Sequence, residues 1–152
     1  WKRNNMNSFL YAMAESFNKM QEEVHKILNI SEYTETERNQ LFLVVGSCLH
    51  CILDYTERID IKEEDKSLLS AFRYANNSLK HCVKVKSITK HQGGFTFPIH
   101  FPLVIPKREI VWSIIDNGDK ENQKRNYKKF LEGKDVVKTC KEMINILEKY
   151  EI

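Results

Sequence analysis

A bundle of four or five helices carrying one small β-insertion is the fold that this sequence predicts. Three observations lead there. Only 5 glycines and 3 prolines interrupt 152 residues, which leaves little material for a turn-rich sandwich. Apolar residues recur at helical spacing through most of the chain. One stretch alone alternates with a period of two, and it holds all three prolines, Pro98, Pro102 and Pro106. The length suits a single domain over 1–152 with a core that needs no staple or metal. A hydrophobic fraction of 41% and a charged fraction of 30% are those of an ordinary globular protein rather than a disordered chain.

The first element carries Met6, Leu10, Met13, Phe17, Met20, Val24, Ile27 and Leu28 on one stripe. This spacing predicts an amphipathic helix of about 25 residues ending near Asn29. A second helix is expected from Thr34 or Thr36, with Glu35 and Glu37 near its positive end. Its stripe is Leu41, Val44, Val45, Cys48, Cys51, Ile52, Tyr55 and Ile59. Cys48-Leu49-His50-Cys51 has the look of a metal motif, but both thiols fall on the apolar stripe and no second ligand pair has zinc-site spacing. Core thiols are expected there, with no metal and no cofactor.

A third helix is expected from about Lys62 to Lys86. Leu68, Phe72, Ala75, Leu79, Cys82 and Val83 project within about 100° of one another and define its buried face. Arg73, Asn77, Lys80 and Lys84 project together on the opposite side, with His81 beside Asn77. After it, Gly93-Gly94 predicts a turn. Phe95, Phe97, Ile99, Phe101, Leu103 and Ile105 then alternate with the prolines on the other phase, which confines the segment to an edge strand or an extended arm. A partner strand is available from Lys84–Lys90 before the turn or from Ile110–Ile114 after it, so the insertion spans about 84–115. A helix from about Lys120 to Leu131 is closed by Gly133, and a last helix carries Val136, Val137, Cys140, Met143, Ile144 and Leu147.

Charge is unevenly spread. Residues 1–76 hold 9 basic and 12 acidic side chains, and residues 77–152 hold 15 and 9, against a net charge of only +3. From Lys66 to Arg108 there are eight Lys or Arg, three His and no Asp or Glu. The average charge does not argue for a polyanion, whereas this span does so locally. No run of 18 apolar residues and no signal-peptide pattern occurs, so a cytoplasmic protein with reduced thiols and no membrane contact is expected. Gly-rich phosphate loops, HExxH pairs and nucleophile elbows are absent from the sequence.

The acid-free span contains one constellation with chemistry, Arg73 to His81. Metal-free RNA cleavage needs a group to manage the 2′-hydroxyl proton and cationic or amide donors to stabilise the phosphorane. A histidine meets the first need, and Arg, Lys and Asn meet the second. One helix supplies half of such a site, and a symmetric dimer completes it.

The stretch Asn76-Asn77-Ser78-Leu79-Lys80-His81 resembles the Arg-Asn-x-x-Lys-His form of the HEPN superfamily motif. Asn76 stands at the arginine position, Asn77 matches the polar residue, Lys80 the lysine and His81 the histidine, while Arg73 lies one helical turn upstream. The resemblance extends loosely to the long third helix and to Tyr127 and Leu131–Val136 ahead of the final helix. It implies a helical bundle that acts as a homodimeric, metal-independent endoribonuclease, or a degenerate relative that binds RNA without cleaving it. Such proteins belong to toxin–antitoxin and phage-defence systems, so the resemblance also implies a protein partner such as an antitoxin. On this reading Arg73, Asn77 and His81 are the catalytic candidates, and Asn76, Lys80 and Lys84 contact RNA. Two other readings are open on the residues alone. One is a dimerising interaction module without chemistry, and the other is a metal- or cofactor-binding bundle.

Overall fold

The computed structural model describes residues 2–79, 83–97, 99–115 and 120–150, with side chains described over 8–79, 83–85, 108–115 and 120–150. The order is α1 (Lys2–Asn29), α2 (Glu35–Thr56), α3 (Glu63–Asn77), β1 (Val83–Phe97), β2 (Ile99–Trp112), α4 (Glu121–Phe130) and α5 (Val136–Glu148). It is a helical bundle with a two-stranded antiparallel hairpin inserted between α3 and α4.

α1 and α2 lie along each other, joined by a link too short for anything but an antiparallel pair. Met13, Phe17, Met20, Val24 and Ile27 are buried along the α1 stripe. Thr34 precedes α2, and its backbone N–H donates to the Glu37 carboxylate at 2.9 Å, as its hydroxyl also does. This capping box is why α2 starts where it does. Leu41, Val44, Val45, Cys48, Ile52 and Tyr55 are buried as expected, and Leu49 joins them. A Cβ added at Gly46 would lie 2.8 Å from Leu79 Cδ2, so a glycine there permits close approach between α2 and the end of α3.

α3 begins at an acidic turn, Glu63 to Asp65, which suits the positive end of a helix. It buries Leu69, Ala71, Phe72, Tyr74 and Ala75 and ends at Asn77, where the Ser78 N–H bonds back to Tyr74 and Ala75. This corrects the expected helix to Lys86. Val83-Lys84-Val85-Lys86 also alternates, and pairing with β2 makes it a strand. Val83 and Lys84 are therefore strand residues, while Cys82 lies outside the described residues.

The alternating segment from Phe95 to Ile105 is not one strand but is divided between β1 and β2, and the two candidate partner segments meet each other, in one ladder from Val83 opposite Trp112 to Phe97 opposite Ile99. Gly93-Gly94 is not the turn. Between the pairs His91–Val104 and Gly94–Pro102, β1 has one residue more than β2, and the glycines fall at this bulge. Pro102 and Pro106 are accommodated because each strand of a two-stranded sheet keeps an open edge. The side chains of the alternating apolar row lie outside those described.

Trp112 joins the hairpin to the bundle. Its indole is buried, meets the Phe72 ring edge-on at 6.2 Å, and donates Nε1–H to Thr139 Oγ1 at 2.7 Å. Its backbone N–H donates to the Lys134 carbonyl at 3.0 Å, and its carbonyl accepts from Gly133 N–H at 2.9 Å. Gly133 has φ +77°, a left-handed conformation that ends α4 and turns its amide toward Trp112. α4 packs on α3 through Tyr74 and Tyr127, whose rings are 5.2 Å apart, and the Tyr127 hydroxyl donates to the Ser113 carbonyl. Asp135 caps α5 by accepting the Lys138 N–H at 2.9 Å. Val136, Cys140, Met143, Ile144 and Leu147 fill the core from that side.

Trp112→Phe removes the indole donor and part of the ring, and should cost about 2 kcal/mol in urea unfolding. Gly133→Ala, strained by its positive φ, should cost about 1 kcal/mol in the same measurement.

Candidate functional site

Of the six residues singled out by the sequence, the four that are described occupy three environments. Arg73 and Asn77 are exposed and four residues apart, hence one turn apart on the same face of α3. The Arg73 side chain lines a groove of about 340 Å³ with Thr56, Ile59, Asp60, Lys66 and Leu69. It has no hydrogen-bond or ion-pair partner among the described residues. Asn76 turns inward, and its Oδ1 is buried without a partner. Lys80 and His81 lie outside the described residues.

Lys84 is exposed on β1 rather than on the helical stripe with Arg73 and Asn77. It lines a second cleft, of about 270 Å³, with Tyr33, Arg38, Leu41, Phe42, Leu79, Val83 and Val85. Leu79 and Val83 bracket residues 80–82, so the chain on both sides of the motif lysine and histidine forms this cleft. The capped start of α2 supplies Arg38 and Phe42, and the hairpin base supplies Lys84. The result is a concavity with two cations, two aromatic rings and an aliphatic floor.

Burial pushes the Tyr33 phenol above its ordinary range, the positive Arg38 opposing that rise. Tyr33 therefore carries a protonated hydroxyl at neutral pH. The Thr34 hydroxyl, followed by backbone N–H groups, holds the neighbouring Glu37 carboxyl below the usual carboxylate range. The basic helix α4, with Arg125, Lys128 and Lys129 exposed, packs against α3 and so lies beside the motif-bearing helix. Asn76 Oδ1 on α3 and Gln123 Oε1 on α4 are the buried side-chain oxygens without a hydrogen-bond partner among the described residues.

Sequence reading missed Tyr33, Arg38 and Phe42. They lie more than thirty residues from the motif, on a segment whose visible signal was the helix cap. Cys48 is in the core and Cys51 is half-buried. Among the described residues no three His, Cys, Asp or Glu side chains approach as metal ligands do, and no helix is long and apolar enough to cross a membrane. No family model, no curated protein and no solved structure matches this chain.

A buried amide oxygen without a partner costs about 1–3 kcal/mol relative to a satisfied one. Asn76→Leu should accordingly raise stability by about 1 kcal/mol in urea unfolding. Because the Glu37 carboxyl is lowered in the folded state, its contribution is present above the ordinary value of about 4.3 and is lost as pH falls through the folded value. Glu37→Gln should be less stable than the parent at pH 7, and the difference should close in acid unfolding curves.

Proposed function

We propose that this chain is an HEPN-like domain that acts as a homodimer in the cytoplasm, as an RNA-binding protein or a metal-independent endoribonuclease whose cleavage site is the motif from Arg73 to His81. The observation that carries the binding reading is the cleft between the start of α2 and the hairpin base. Arg38 and Lys84 provide two cations there, and Tyr33 and Phe42 provide rings beside them. Phosphate is held by cations, and unpaired bases stack on aromatic rings, so this combination suits single-stranded RNA. The acid-free span and the basic α4 beside α3 extend the same electrostatic preference.

In the cleavage step His81 takes the 2′-hydroxyl proton and the 2′-oxygen attacks the adjacent phosphorus. The 5′-oxygen leaves as the P–O5′ bond breaks and takes the proton back from the His81 imidazolium, giving a 2′,3′-cyclic phosphate and a 5′-hydroxyl end. Arg73 and Asn77, on one face of α3, supply donors to the phosphorane oxygens, and a second protomer supplies the matching half-site. A protein partner of the antitoxin kind would restrain such an activity. The interaction-module reading is favoured by a separate observation: Tyr11 is 68% and Leu43 58% exposed on α1 and α2.

Affinity for a single-stranded RNA oligonucleotide should fall steeply with salt. Arg38→Ala and Lys84→Ala should each reduce the slope of log affinity against log salt by about 0.7. A salt-insensitive or absent interaction removes the reading. For the cleavage step, RNA incubated with the protein in chelator should give fragments, and His81→Ala should abolish them. The same fragments from the mutant would assign the cleavage to a contaminant.

A further inference from the structure

We infer that Arg108, on β2, is a positioning residue that joins the two walls of the cleft. This inference rests on the RNA-binding reading of that cleft. The Arg108 guanidinium donates through Nη1 to the Ile30 carbonyl and through Nη2 to the Ser31 carbonyl, the latter at 2.7 Å. These two acceptors follow directly on the end of α1 at Asn29, where helix carbonyls lack intrahelical partners and the dipole is negative. A planar guanidinium fork can hold two successive carbonyls at once, which an ammonium cannot do in the same fixed geometry.

The link that Arg108 holds leads within two residues to Tyr33 and then to Arg38, which form one wall of the cleft. The other wall is Val83, Lys84 and Val85 of β1, paired with Ile110, Val111 and Trp112 only a few residues along β2 from Arg108. One side chain of the hairpin therefore sets the distance between Tyr33 and Arg38 on one side and Lys84 on the other. Arg108 itself does not line the cleft. Its cation is committed to backbone carbonyls and is not presented to a phosphate.

This separation gives Arg108 a signature different from that of the cleft cations. In binding of an oligouridylate to the full chain, Arg108→Ala should weaken affinity about tenfold, the scale of one lost charge-assisted hydrogen bond. The salt slope should stay that of the parent, whereas Arg38→Ala and Lys84→Ala lower it. Amide hydrogen exchange over residues 30–34 should accelerate in Arg108→Ala while exchange in α5 is unchanged. Arg108→Lys, which keeps the charge and one donor, should fall between and also covers the case in which the alanine variant does not fold. A salt slope reduced as in Lys84→Ala would make Arg108 a phosphate contact and overturn the positioning role. Unchanged affinity in both Arg108 variants would overturn it too. If Arg38→Ala and Lys84→Ala leave binding unaltered, or the parent binds no RNA, the cleft reading itself falls and the positioning role with it.

Discussion

Inserting a hairpin into a helical bundle creates a junction where backbone groups of a strand must be satisfied by something other than a helix. Trp112 meets that constraint. Its backbone pairs with Val83 on one side and with Gly133 and Lys134 on the other, so the ladder does not end in an unsatisfied edge inside the core. Its ring contacts Phe72 of α3, and its indole N–H is satisfied by Thr139 of α5. A single residue thus ties the hairpin, α3, α5 and the link between α4 and α5. The left-handed Gly133 is the local condition for that tie, since it presents its amide to the Trp112 carbonyl.

The cleft is a consequence of the same junction. Val83 and Lys84 sit opposite Trp112 and Val111, so anchoring β2 in the core places β1 beside the start of α2. Farther along β2, Arg108 reaches the end of α1. The cationic and aromatic groups around the cleft come from the α1–α2 link, α2 and the hairpin, and no one of these elements would form it alone. A further set of contacts closes the opposite end of α3. The Tyr150 hydroxyl bonds to the Asp65 carboxylate and accepts the Lys62 N–H at 2.9 Å, fastening the chain after α5 to the start of α3.

Most helices were legible because their burial is one-sided. The stripes of α1, α2 and α5 read directly from sequence, and Thr34 with Glu37 marked the start of α2. The end of α3 was not legible. Leu79, Cys82 and Val83 continue a helical stripe, while Val83 and Val85, alternating with Lys84 and Lys86, equally begin a strand, and pairing with the remote segment Ile110–Trp112 decides between them. Gly93-Gly94 misled for a related reason: two glycines suit a bulge as well as a turn. Of the site, Lys84 was singled out for a position on a helix and takes a place on a strand instead. Tyr33, Arg38 and Arg108 had no local signal, since their relation to the motif exists only once the hairpin base meets the α1–α2 link.

On the proposed function, RNA is held between the start of α2 and the hairpin base. A chemical-shift map of the amide-labelled full chain, titrated with a single-stranded RNA oligonucleotide, tests it most directly. RNA bound in the cleft should give shifts concentrated at residues 33–42 and at Leu79, Val83, Lys84 and Val85. Shifts confined to the groove around Arg73 and Asp60, or to the exposed residues Tyr11 of α1 and Leu43 of α2, would contradict it.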